Sequence, residues 1–206
     1  IGAWFTGKIA DRLGRVPTIV IAAILFIVSA VFSAFAPGVW IFILFRFLGG
    51  VGVGLASVIG PMYIAEIAPS QMRGFLGSFQ QLAIGLGILV SVIVNALYAN
   101  ASGGADNAFW FGFPTWRWVL LTLFVPAIIM LLASFRLPES PRFLAMKGKS
   151  DEAARVLRTV VGETSPQRKV AEIQASLHGE RGGKFSDLRG STFGLKKVVW
   201  IAVGIA

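Results

Sequence analysis

Three stretches of this sequence contain no Asp, Glu, Lys or Arg: residues 16–45, 74–105 and 118–135. A helix that crosses about 30 Å of hydrocarbon needs about 20 mainly apolar residues, and each window is long enough or nearly so. Inside lipid no water satisfies an unpaired backbone N–H or C=O, so such segments must be helices that make those bonds internally. The sequence therefore predicts an all-α fold, a polytopic transmembrane helical bundle. Four complete spans are expected, at residues 16–36, 40 to about 63, 74 to about 98, and 116–136. Residues 1–6 and 198–206 read as partial spans, so the chain is expected to be a fragment of a longer protein.

The charged residues that remain are unevenly placed. They make up 14% of the chain and give it a net charge of +9, against about a quarter in soluble domains. Thirteen of the 19 Lys and Arg lie between Arg136 and Lys197. Alternation through four spans puts residues 7–15, 65–73 and 136–197 on one side, which then holds 17 of the 19 basic residues. By positive-inside bias that side is cytoplasmic. The bias accounts for the charge without a nucleic-acid partner, since no recognition module accompanies it. Trp40, Trp110, Trp116 and Trp118 then fall near the outer interface, and residues 100–115 form a polar, glycine-containing loop. There is no cysteine, which excludes disulfide frameworks and thiolate metal sites.

The basic segment carries helix signals of its own. Ser140-Pro141, Ser150-Asp151-Glu152 and Ser165-Pro166 each place a capping residue at a helix start. Ala154, Leu157 and Val161, and then Val170, Ile173 and Leu177, recur at helical spacing. Short cytoplasmic amphipathic helices are expected, with a mobile glycine-rich stretch at residues 179–190.

Several residues in or beside the spans point to chemistry. Residues 7–15 (Gly-Lys-Ile-Ala-Asp-Arg-Leu-Gly-Arg) read as a short charged loop between two helices. Arg46 sits inside a span beside a glycine-rich face on which Gly50 and Gly54 form a small-xxx-small packing pair. An intramembrane Arg is costly and by default functional, so a buried, partnered Arg46 is favoured over one that snorkels. Pro61 and Pro69 are expected to break the helix on each side of Glu66, which is placed to pair with Arg73. Pro138-Glu139-Ser140-Pro141-Arg142 repeats the association of an acid, an Arg and prolines after the fourth span. Gln81, Ile84, Gly85 and Ile88 share one helical face. That face offers one amide and aliphatic walls, suited either to a small polyol ligand or to an interhelical hydrogen bond. The single histidine, His178, lies outside the spans, and no nucleophile–base pair or metal-ligand spacing occurs within one. An enzyme is not expected.

Taken in order, these residues resemble the sugar porter family of the major facilitator superfamily. Residues 7–15 are similar to its signature between helices two and three, and residues 46–54 to helix four. Pro61-Met62-Tyr63-Ile64-Ala65-Glu66 with Arg73-Gly74 resembles the turn between helices four and five. Trp116-Arg117-Trp118 resembles the opening of helix six, and Pro138-Glu139-Ser140-Pro141-Arg142-Phe143-Leu144 its close. The resemblance runs the length of the chain. It implies a partial major facilitator fold: residues 1–136 from the N-terminal transmembrane half (part of helix two, helices three to six), 137–197 as a cytoplasmic helical linker domain, and 198–206 as the start of helix seven.

The resemblance also implies a function: a monomeric, multi-pass plasma-membrane transporter of a monosaccharide, working by alternating access as a proton symporter or a facilitative uniporter. No cofactor is expected beyond a proton as coupling ion. A non-transporting sugar sensor of the same fold is the alternative. Gln81 resembles the family's sugar-binding helix-five glutamine, with Ile84 and Ile88 beside it. A second glutamine found in the bacterial xylose–proton symporter is replaced by Ile88, as in facilitative glucose transporters. Arg46 resembles the helix-four Arg near the coupling position of helix one. Asp11, Arg12, Arg15, Glu66, Arg73, Glu139 and Arg142 resemble the family's cytoplasmic charge network, whose pairing favours the outward-facing state.

Overall fold

A computed structural model describes residues 2–69 and 71–180, of which 178–180 are described as backbone only. The expected partial span at 198–206 and nearly all of the stretch 179–190 lie outside the described residues. Among those described, the only regular structure besides helix is one isolated bridge between Ala108 and Pro114.

The charge-free windows become helices long and apolar enough to cross a membrane. Helix α1 spans Gly2–Leu13, α2 Arg15–Ala34, α3 Val39–Ile67 and α4 Arg73–Ser102. The fourth crossing, Thr115–Ser134, is divided into α5 (Thr115–Thr122) and α6 (Phe124–Ser134). Its break at Leu123 lies three residues before Pro126, which has no N–H to return to the preceding turn.

Three local expectations are corrected. Residues 7–15 are not a loop: α1 continues to Leu13, and Gly14 alone separates it from α2. The charges there mark the membrane boundary, not an end of backbone pairing, and Gly14 N still donates to Ala10 O at 3.0 Å. Pro61 does not break α3, which runs through it to Ile67. The helix ends at Ala68, which is extended at φ −68°, ψ 134°, as a residue before proline prefers.

The third correction concerns how α3 packs. Gly50 and Gly54 are not one contact surface. A Cβ on Gly54 would lie 2.7 Å from Ala3 N of α1, whereas one on Gly50 would meet nothing within 4 Å. Gly49 makes the close approach to α2, where a Cβ would stand 2.4 Å from Ser29 Oγ. Thus α3 uses separate glycines against α1 and α2, which lets both backbones come close without a hydrophobic driving force. Ala10, Ile19 and Ile59 form the buried junction, flanked by Met62, Tyr63 and Met130. Helix α4 has no buried residue.

After the fourth crossing, α7 (Pro141–Met146), α8 (Ser150–Val156) with a π-helical turn at Leu157–Val161, and α9 (Pro166–Glu180) gather around their own small core. Leu144, Ala145, Ala153, Leu157 and Val170 are buried there, with Ala154, Val161 and Ile173 packed against them. Ser140 caps α7 as expected, accepting from Arg142 N and Phe143 N. Ser150 does not cap α8, being its first helical residue; its hydroxyl accepts from Gln174 Nε2 at 3.0 Å and ties α8 to α9.

Candidate functional site

The charged ends of α1, α2 and α3 meet the segment leading into α7, and the residues brought together there form a closed polar cluster. Its centre is Arg15, 4% exposed. Its guanidinium faces the Glu66 carboxylate with two N–H groups, Nε to Oε2 and the terminal NH2 nitrogen to Oε1, both at 2.9 Å. The remaining terminal nitrogen donates to Ala10 O at 3.1 Å and to Asp11 Oδ1 at 3.3 Å. The Phe143 ring lies 5.6 Å away and covers the guanidinium. A buried cation is tolerated only when its donors are engaged, and the planar fork of Arg meets this carboxylate in a way Lys does not.

Glu139 joins the cluster through backbone N–H groups. Its carboxylate accepts from Arg15 N at 2.9 Å, from Val16 N at 3.3 Å and from Ser140 N at 2.9 Å. It supplies, from a distant part of the chain, the cap that Gly14 has no side chain to provide. The positive end of the α2 dipole favours an acid at that point. Gly14 is required twice over: its φ is 112°, and a Cβ would lie 2.5 Å from Glu139 Oε2. Ser140 adds a link that its capping role did not reveal, because its hydroxyl also donates to Glu66 Oε2. Tyr63 OH donates to Pro138 O at 2.7 Å. No sequence signal pointed to that contact, whose partners are 75 residues apart.

The other expected members stand apart from this pairing. Glu66 is engaged by Arg15 and Ser140, and not by Arg73, whose Nε donates to Ala68 O at the end of α3 at 3.1 Å. Arg73 and Arg142 line a neighbouring cavity of about 580 Å³ together with Glu66, Glu163 and Lys169. Arg12 is exposed in the last turn of α1.

Within the spans, Arg46 is exposed rather than buried, and its guanidinium lies 5.6 Å from the Phe42 ring. It borders a cleft of about 540 Å³ between α2, α3 and the α5–α6 crossing, lined also by Ser29, Gly49, Gly50, Pro126 and Met130. The small residues that let α2 and α3 approach also leave this space open. Gln81, Ile84 and Ile88 do not line that cleft; they lie on the exposed α4 surface. Gln80 instead turns toward α3, its Nε2 lying 3.3 Å from where a Cβ on Gly60 would stand.

Comparison with known proteins matches this architecture throughout. The family model described as "Sugar (and other) transporter" matches residues 1–206. The chain is 44% identical over 207 residues to a glucose transport protein of Synechocystis sp., covering 100% of this chain and 44% of that protein. It is 38% identical over 202 residues to the D-xylose-proton symporter of Escherichia coli, covering 89% of this chain and 40% of the relative. Among solved structures, the partially occluded inward-open form of the E. coli xylose transporter XylE superposes with a TM-score of 0.78 at 37% identity, over 88% of this chain and 46% of that one. XylE bound to 6-bromo-6-deoxy-D-glucose gives 0.80 at 36% identity, over 90% and 42% respectively. The chain thus spans less than half the length of these relatives.

Proposed function

The chain belongs to the sugar transporter family, and on that premise we propose that the whole protein carries a monosaccharide across the plasma membrane by alternating access. The Arg15–Glu66 pair carries this reading. It closes one end of three helices against the segment that leaves the membrane, and its two short bonds form a discrete contact that two conformations can make or lose. Glu139 and Ser140 complete it from the far side of the fourth crossing. A static brace would need no such convergence of charges from four parts of the chain.

By positive-inside bias the basic residues orient this end toward the cytoplasm, since alternation of the spans assigns 17 of the 19 to its side. Gln81 is the proposed sugar ligand, with Ile84 and Ile88 as apolar walls. The relative named a glucose transport protein and the aliphatic residue at Ile88 together favour a hexose over a pentose. Arg46, at the mouth of the cleft beside α2 and α6, is placed to act on a coupling group presented by another segment of the protein. The protein works as a monomer, either as a symporter with the proton as coupling ion or as a facilitative uniporter.

Uptake of radiolabelled D-glucose and D-xylose into vesicles containing the full-length protein tests the proposal. Saturable D-glucose uptake that exceeds D-xylose uptake is expected. Accumulation against a gradient when the outside is made acidic marks proton symport; equilibration alone marks uniport. Sugar binding without uptake would overturn transport in favour of a sensor.

A further inference from the structure

The connection between α4 and α5 is not simply polar: its second half closes into an aromatic hairpin. Asn107 O accepts from both Thr115 N and Thr115 Oγ1 at 3.0 Å, and Trp116 N donates to Ala105 O at 3.1 Å. Inside this clasp Phe109 N donates to Phe113 O at 2.9 Å, and a 3-10 turn at Trp110–Gly112 forms the tip. Trp118, from α5, braces it by donating Nε1–H to Trp110 O at 3.2 Å, with its ring 5.8 Å from that of Trp110.

The tip is held in place yet turned outward. Trp110 is 61% exposed and Phe111 89%. Phe111 is the only non-glycine residue with positive φ among the described residues, at φ 56°, ψ 22°. That conformation suits Gly or Asn and is unfavourable for a bulky side chain. Its ring lies 6.2 Å from that of Trp118, a contact that leaves most of it uncovered, so the reason for an aromatic there lies in what its exposed face meets.

Two observations identify the occupant as lipid. The hairpin connects the ends of two membrane-crossing helices, Ser102 of α4 and Thr115 of α5. The start of α3, which connectivity places at the same end of the bundle, presents Trp40 at 84% and Val39 at 72% exposure, so the apolar surface continues beyond the hairpin. Residues 107–116 also contain no charge, and residues 108–114 no polar side chain. A sugar or a polar protein surface would find little to hydrogen-bond, whereas aromatic rings partition to the headgroup–acyl boundary. We propose that Trp110 and Phe111 seat the hairpin in that boundary and anchor the end of α4, a helix with no buried residue of its own.

The test uses the full-length protein in phosphatidylcholine vesicles. This chain has no cysteine, so with any others in the protein replaced, Phe111→Cys and Asp106→Cys each take a single nitroxide label. Collision with oxygen is expected to exceed collision with a water-soluble nickel chelate several-fold at position 111, with the order reversed at position 106. A label at 111 that meets the chelate as freely as one at 106 overturns the proposal. So does a label shielded from both reagents, which would mean that the tip docks on protein. A second readout leaves Phe111 unaltered: brominated phosphatidylcholine should quench the fluorescence component that is lost on Trp110→Phe. Absence of quenching of that component also overturns the proposal.

Discussion

Arg15 and Glu66, 51 residues apart in sequence, meet through two parallel N–H···O contacts of 2.9 Å. Their side chains are 5% and 11% exposed, so solvent screens the pair little. Removing one partner from a buried pair costs about 3–5 kcal/mol because the other charge is stranded. Arg15→Ala and Glu66→Ala should each lower the thermal unfolding midpoint of the full-length protein markedly, as read by intrinsic fluorescence in detergent. Arg15→Lys should recover little, since an ammonium cannot reproduce the fork. If Arg15→Lys is as stable as the wild type, the pair is a point-charge contact and its geometry is irrelevant.

Gly14 and Glu139 are expected to behave as one unit. A methyl on Gly14 would sit 2.5 Å from Glu139 Oε2 on a backbone at φ 112°. Strain at such a backbone position costs about 1–3 kcal/mol, and loss of a helix cap about 0.5–2 kcal/mol. Gly14→Ala and Glu139→Ala should therefore be destabilising singly and less than additive together. Strict additivity in a double-mutant cycle would show that the carboxylate and the glycine act independently.

The contrast between these sites and the rest of the chain explains what was legible in the sequence. The spans could be read because hydrocarbon leaves no alternative to a helix, so missing charge alone locates them. The helices after the fourth crossing could be read because Ser140 and the periodic Leu157 and Val170 state both their starts and their inner faces. Pair identity could not be read. Glu66 lies seven residues from Arg73 and 51 from Arg15, and only the helix crossing decides which guanidinium it meets. The exposure of Gln81 and Arg46 was equally hidden, because a one-dimensional pattern does not say which side of an apolar helix a neighbour covers.

Gln81 carries the substrate prediction. If its amide holds a sugar hydroxyl, Gln81→Ala should reduce apparent sugar affinity roughly twofold to twelvefold, the range of one net hydrogen bond, with membrane insertion unchanged. Ile88→Gln should raise D-xylose uptake relative to D-glucose by adding an amide one heptad further along the same face. Both are measured as concentration-dependent uptake in proteoliposomes. Unaltered affinity in Gln81→Ala would exclude the amide as a ligand, and an unchanged sugar ratio in Ile88→Gln would exclude that position from selection.

The two glycines of the apparent Gly50–Gly54 motif make opposite predictions. Gly54 faces α1, where an added Cβ would stand 2.7 Å from Ala3 N and 2.9 Å from Gly2 Cα. These are backbone atoms, so the helices themselves would have to separate, and overpacking of this kind costs about 1–3 kcal/mol. Gly50 has nothing within 4 Å and borders the cleft beside Arg46. Gly50→Ala should leave the unfolding midpoint unchanged or raise it slightly, since Ala is favoured over Gly inside a helix by roughly 0.5–1 kcal/mol. Gly54→Ala should lower the midpoint. Equal effects would mean that the motif packs as a single surface, contrary to the crossing of α1 and α3. A midpoint loss confined to Gly50→Ala would mean that another segment of the protein fills the cleft at Gly50.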